Sequence, residues 1–259
     1  MEDDILVARD GFIATVTLNR PDKLNALTKP MWRRLGEVFG ELSADETLRC
    51  TILRGAGDQA FSPGNDISEF KTERSDVAQA RAYGKIMAET LKAIKACRHP
   101  TVAEIHGICV GGGLEIAGCC DLRVCGRSSR FGAPIKRLGL VMAYAEMSAL
   151  IDLVGRANAA EILFEGEIFD AARAREMGIV TRIVEDDEVG EEALATARRI
   201  AEGAPLVARW HKTFMARLED PAPLKPEEIE ESYECFGTED FAVGYRAFLA
   251  KRKPDFKGR

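Results

Sequence analysis

His106-Gly107-Ile108-Cys109-Val110-Gly111-Gly112-Gly113-Leu114-Glu115-Ile116-Ala117-Gly118 decides how this chain is read. A β-branched run, Thr101 to Ile105, leads into it and an apolar helical pattern leads out. Glycine inside a strand or helix costs roughly 0.5–1 kcal/mol per residue, so three in a row suggest that bare backbone is wanted there. A helix starting at this point presents unpaired N–H groups and a partial positive charge. Those groups suit an oxygen that is, or becomes, negative. Glu115 falls in the first turn of the same helix, within reach of whatever that seat holds.

Upstream, Ile5–Ala8 and Phe12–Leu18, split by Arg9-Asp10-Gly11, predict a β-hairpin. A polar loop, Asn19 to Leu27, ends at the candidate N-cap Thr28, and Met31, Leu35, Val38, Phe39 and Leu42 repeat at helical spacing after it. Arg49–Leu53 reads as a strand. Ala60 to Ile67 reads as a loop, Lys71 to Asp76 as a mobile charged stretch, and Val77 to Ala96 as a long helix. Downstream, Leu122–Cys125 and Phe131–Ala133 read as short strands. The remainder reads as helices over 145–154, 157–163, 171–176, 188–202, 204–218, 226–235 and 238–250, interrupted by one strand, Ile179–Val184. Alternation followed by helices predicts an α/β core with a helical C-terminal segment, and Ala222 to Pro226 is the best joint within that segment.

The 259 residues, 46% hydrophobic and 30% charged, suffice for one large globular unit with a sizeable core. A net charge of −6 argues against a nucleic-acid partner. Seven cysteines without a C-x-x-C read as buried reduced thiols. Met1-Glu2-Asp3-Asp4 is acidic where a secretory signal would be basic. The most apolar window, Thr101–Cys120, contains Glu104, His106 and Glu115, so no membrane span is expected and a cytoplasmic or organelle-matrix protein is.

Familiar glycine motifs do not fit. Gly111 and Gly113 match the start of a dinucleotide fingerprint, but Ile116 stands at its third glycine. No Gly-Lys-Ser/Thr follows, so a phosphate loop is excluded as well. His99, His106 and His211 have no metal-ligand spacing, and His106 reads as a turn residue.

Four stretches, in order, resemble the crotonase family, the enoyl-CoA hydratase/isomerase superfamily. They are Asn19-Arg20-Pro21-Asp22-Lys23-Leu24-Asn25-Ala26-Leu27; Ala60-Phe61-Ser62-Pro63-Gly64-Asn65-Asp66-Ile67; His106-Gly107 through Gly111–Glu115 to Asp121; and the tail from Tyr245 to Phe256. The resemblance implies a crotonase-like spiral of ββα units over residues 1–200. It also implies a helical trimerisation segment over 201–259, assembling a homotrimer or a dimer of trimers. The implied ligand is an acyl-CoA thioester, with coenzyme A as part of the substrate and no further cofactor.

In such enzymes two backbone N–H groups polarise the thioester carbonyl, and the matching positions are Asn65 and Gly112. Lys23, Leu24, Ala26, Ala60 and Pro63, with Asp66, Ile67 and Gly111, fall where relatives hold the coenzyme A portion. Lys251 is placed to reach its phosphates, from a neighbouring subunit if need be. Hydratases of the family use two glutamates. The first matches Glu115; the second should follow Pro134, and that residue is Ile135. Glu146, Tyr144 and Asp66 are the candidates to replace it. An enoyl-CoA hydratase/isomerase activity with Asn65, Gly112 and Glu115 as catalytic positions is the first expectation. A malonyl-type acyl-CoA decarboxylase is the second, since the tail also resembles methylmalonyl-CoA decarboxylases. A catalytically lapsed acyl-CoA-binding protein is the third.

Overall fold

A computed structural model of the chain describes residues 4–259, so Met1–Asp3 of the acidic start lie outside the described residues. The Asp10-Gly11 turn closes the expected hairpin. β1 (Ile5–Asp10) pairs antiparallel with β2 (Ile13–Leu18), and Gly11 takes the left-handed conformation that such a turn requires. The alternating apolar residues of β2 are buried on one face. Thr28 caps α1 (Lys29–Ala44) by accepting the N–H of Met31, and Met31, Trp32, Leu35, Val38 and Phe39 form its buried stripe.

From there the chain repeats one step. β3 (Cys50–Gly55) lies in a first sheet and β4 (Ala60–Ser62) in a second; the short α2 (Phe70–Glu73) and α3 (Val77–Lys95) follow. β5 (Thr101–Ile105), β6 (Ile108–Val110) and α4 (Gly112–Gly118) make the next unit. β7 (Leu122–Gly126), β8 (Arg130–Gly132) and α5 (Tyr144–Glu165) make another. Strands β2, β3, β5 and β7 pair parallel, and so do β4, β6 and β8. The result is the expected spiral of ββα units. All five residues of β5 are buried because it is an inner parallel strand covered on both faces.

The remaining elements are β9 (Phe169–Asp170), α6 (Ala171–Glu176), β10 (Arg182–Val184), α7 (Val189–Ala201), α8 (Pro205–Leu218), α9 (Pro226–Glu231) and α10 (Glu239–Leu249). Gly155, at φ +73°, breaks α5 where the sequence separates two helices. The joint at 222–226 follows α8 and ends on the first residue of α9. α8 is tied to the spiral by Lys212, whose ammonium lies 2.7 Å from the Asp121 carboxylate. That same carboxylate accepts the Thr101 N–H at the start of β5.

Four expectations need correction. Ala60 to Ile67 is not all loop, since β4 and a 3-10 turn, Ile67–Glu69, occupy its ends. Between Ile105 and the glycines lies β6, only three residues long and so too short to show an alternating pattern. The charged stretch 71–76 begins within α2, and its Arg74 stacks on two aromatic rings. The strand predicted over 179–184 is confined to Arg182–Val184. Six cysteines are buried and free as expected, while Cys235 is half-buried.

Candidate active site

The first wall of the site is the loop after β4. The Ser62 hydroxyl donates to Asn25 O (2.9 Å) and accepts the Gly64 N–H (3.0 Å), which sets the turn. Asn65 then lies opposite Leu27 in an isolated parallel bridge. Leu27 N–H donates to Gly64 O and Asp66 N–H donates to Leu27 O, both at 2.8 Å. These bonds flank Asn65, so its own N–H points away from Leu27. That N–H has no acceptor among the described residues.

The second wall is the glycine turn. Gly111 N–H donates to Gly132 O (2.9 Å), and Gly111 O accepts the Glu115 N–H (3.1 Å), which starts α4. Gly112, the first residue of α4, has an N–H without an acceptor among the described residues. The two walls touch through bare backbone. A Cβ on Gly64 would lie 2.4 Å from Gly112 N, and one on Gly113 would lie 2.0 Å from Ser62 O. The expectation of bare backbone holds, and close approach of the two loops is its cause.

Behind both walls stands Trp32, fully buried. Its indole Nε1–H donates to Asn65 Oδ1 (2.7 Å), and its ring lies 3.1 Å from where a Gly112 Cβ would be. Thr90 Oγ1 in turn donates to Trp32 O (2.7 Å), joining α3 to this support.

One turn into α4, Glu115 is half-buried as a residue, but its Oε2 is sealed from solvent and has no hydrogen-bond partner. Burial of the carboxyl, helped by the charge of Glu146 and opposed by Arg74, pushes it up to about 8. That shift favours the protonated carboxyl at neutral pH. Glu146, third residue of α5, is buried, and its Oε2 accepts the Ala143 N–H at 2.6 Å. Its carboxyl is also raised by burial, an effect offset in part by that N–H and by Arg74. Glu115 and Glu146 line one narrow cavity of about 10 Å³ with Leu114, Met142 and Leu150. The Arg74 guanidinium sits 4.9 Å from the Phe70 ring centre and 5.0 Å from that of Tyr83.

The family model for enoyl-CoA hydratase/isomerase matches residues 9–259. The chain belongs to this family. A short-chain-enoyl-CoA hydratase from Clostridium acetobutylicum is 32% identical over 260 residues, with 99% of each chain covered. A crotonyl-CoA hydratase from Syntrophomonas wolfei is 28% identical, with 98% of each covered. Among solved structures, an enoyl-CoA hydratase/carnithine racemase from Magnetospirillum magneticum superposes with a TM-score of 0.98. It is 51% identical, covering 99% of this chain and 96% of that one. The membership makes this an enzyme of the lyase or isomerase kind in the acyl-CoA-processing class.

Within this family member the other expected residues fall into two groups. Leu24 and Ala60 line a cleft of about 110 Å³ beside Asn25 and Gln59, and Lys23 is exposed next to it. Ala26 is buried beneath, its carbonyl accepting from Arg20 (2.7 Å). Arg20 also meets Asp66 at 3.1 Å. The Ser68 hydroxyl foremost, then its N–H and Arg20, hold the Asp66 carboxyl below its ordinary range. Asp66 is a loop-fixing carboxylate, unsuited to act as an acid. Pro63 and Gly111 are half-buried at the loop junction, and Ile67 is exposed. Lys251 is not brought to this cleft. It lies just past the end of α10, its N–H donating to Phe248 O, and the tail beyond it packs near Phe12 and Arg49. Tyr144 is 92% exposed and stands outside the carboxyl cavity. Ile135 lies in a 3-10 turn, Pro134–Leu138, packed against the core.

Neither Trp32 nor Arg74 carries a functional signal in the sequence. Trp32 is one apolar residue among five in an amphipathic stripe, and nothing in its spacing distinguishes support from packing. Arg74 sits in a run of mixed charges that reads as solvated surface.

Proposed function

We propose that this protein transforms an acyl-CoA thioester by enoyl-CoA hydratase/isomerase-type chemistry. The thioester oxygen sits between the N–H groups of Asn65 and Gly112. The observation that carries this reading is that pair of unclaimed N–H groups on two touching loops, with the Glu115 carboxyl one turn further on. Adding water to, or moving a proton along, an enoyl thioester puts negative charge on that oxygen. Two pre-set donors in a dry site stabilise the charge, and losing one such donor typically costs about 3–4 kcal/mol of barrier.

Lys23, Leu24, Ala26, Ala60 and Pro63, with Asp66, Ile67 and Gly111 shaping the junction, hold the coenzyme A portion in this reading. Lys251 contributes to the phosphates only from a second copy of the chain. A trimer or a dimer of trimers, formed through the segment beyond residue 200, accords with the exposure of Phe248 (84%) and Leu249 (75%) on α10. No helix among the described residues is long and apolar enough to cross a membrane. A cytoplasmic or matrix location remains the expectation.

The test is turnover of crotonyl-CoA and of a 3-enoyl-CoA by the wild type and by Glu115→Gln. Turnover abolished in the variant supports the reading, while a full rate in the variant sinks the acid–base role of Glu115. Carbon dioxide released from methylmalonyl-CoA, insensitive to Glu115→Gln, would instead identify a decarboxylase. Tight acyl-CoA binding with no turnover would identify a lapsed enzyme.

A further inference from the structure

Ile135 leaves the carboxyl that should follow Pro134 missing, yet the cavity facing Glu115 holds another carboxyl from a different element. Of the three candidates to replace the missing group, Asp66 is committed to Ser68 and Arg20, and Tyr144 points into solvent. Glu146 alone shares the cavity. It is buried, it lies on the third residue of α5, and one of its oxygens is fixed by the Ala143 N–H. Its other oxygen has no hydrogen bond to a described residue. Met142 and Leu150 complete walls that keep this space apolar.

We propose that Glu146 is the second catalytic carboxyl of this site and works with Glu115 as a pair that shares one proton. The proposal rests on the acyl-CoA reading above. Two carboxyls in one apolar cavity do not both ionise readily, so the pair keeps a proton. The geometry assigns it. Glu146 has an N–H donor for its anion, whereas Glu115 Oε2 has none, so the charge sits on Glu146 and the proton on Glu115. The positive charge of Arg74, held over the Phe70 and Tyr83 rings, acts on both carboxyls, while Tyr83 and Glu69 are engaged with one another at 3.2 Å.

Hydration then balances without an outside proton. The Glu146 carboxylate takes a proton from water as the water oxygen bonds to C3 of the enoyl group. The C2–C3 π electrons move toward the thioester and make an enolate whose oxygen lies on Asn65 and Gly112. Glu115 gives its proton to C2, and the carbonyl re-forms. One water has been added, and the pair still holds one proton, now on Glu146. Its return to Glu115 resets the site.

Glu146→Gln tests this, because the amide oxygen can still accept the Ala143 N–H and keep the helix start. With crotonyl-CoA, kcat is expected to fall about 10²–10⁴-fold with KM within roughly twofold. Glu115→Gln/Glu146→Gln is expected to be little worse than either single variant, because the two act as a unit. Glu146→Asp is expected to recover part of the loss at an unchanged melting temperature. If Glu146→Gln stays within about threefold of wild type while Glu115→Gln is dead, the proposal is overturned. The acyl-CoA reading would then survive with Glu146 as a helix cap. If the wild type binds thioesters and turns over none, both fall. Should Glu146→Gln not fold, an unchanged kcat in Glu146→Asp overturns the proposal and a reduced one supports it.

Discussion

The two halves of this site are built in opposite ways. The proposed oxygen seat is made of backbone: two loops pressed together until no side chain fits between Gly64 and Gly112 or between Ser62 and Gly113. The proposed acid–base half is made of side chains, Glu115 from α4 and Glu146 from α5, meeting in a cavity of about 10 Å³. A backbone site constrains which residues are tolerated, so it leaves glycines behind in the sequence. A side-chain site requires only that a carboxyl arrive, and any element passing nearby can deliver it. In the proposed site the seat is therefore the half that constrains sequence most, and the carboxyl partner is the half that another element can supply.

The largest expected effect breaks the seat. Gly113→Ala places a methyl 2.0 Å from the backbone oxygen of Ser62, which cannot swing aside. A loss of more than about 4 kcal/mol of stability is expected, read as loss of soluble folded protein or a collapsed denaturant midpoint. A normally stable Gly113→Ala would mean the loops are not held as described. Next in size, Trp32→Phe keeps most of the ring but removes the hydrogen bond to Asn65 Oδ1. We expect kcat to drop roughly tenfold with KM little changed, at a cost of about 1–2 kcal/mol in stability. A fall in stability alone would make Trp32 ordinary core.

The carboxyl half has a pH signature. The Glu115 carboxyl, ordinarily near 4.5, is raised to about 8 in the folded protein by burial and by Glu146. Between those values the folded state holds a proton that the unfolded chain has released. The resulting stabilisation is full below pH 4.5 and is lost as pH rises through about 8. Glu115→Gln removes the titration, so its melting temperature should exceed that of wild type at pH 9 by roughly 5 °C. The two should converge at pH 5, which calorimetry at both pH values will check. The smallest effect is the control: Tyr144→Ala, two residues from Glu146 but exposed, should leave kcat within about twofold.

This contrast also explains what could be read from the chain alone. The Asp10-Gly11 hairpin, the Thr28 cap and the break near Gly155 were legible because each depends on local chemistry. The need for bare backbone at Gly111–Gly113 was legible because glycines mark close approach of chain, whereas Asn65 and Gly112 as donors were named through the family resemblance. β4 and β6 were not, being three residues long and defined by pairing across the spiral rather than by pattern. Glu146 could be nominated but not chosen. Only the fold brings the third residue of α5 beside the first turn of α4 while turning Tyr144 outward. Trp32 was invisible as a support because a buried tryptophan on an amphipathic face satisfies packing whether or not its N–H has a task.

The most direct measurement is a crystal structure of Glu115→Gln with crotonyl-CoA bound. The account predicts the thioester oxygen about 2.7–3.1 Å from both Asn65 N and Gly112 N, with C2 and C3 facing residues 115 and 146. A thioester oxygen bound away from either N–H, or acyl carbons turned from that carboxyl pair, would contradict it.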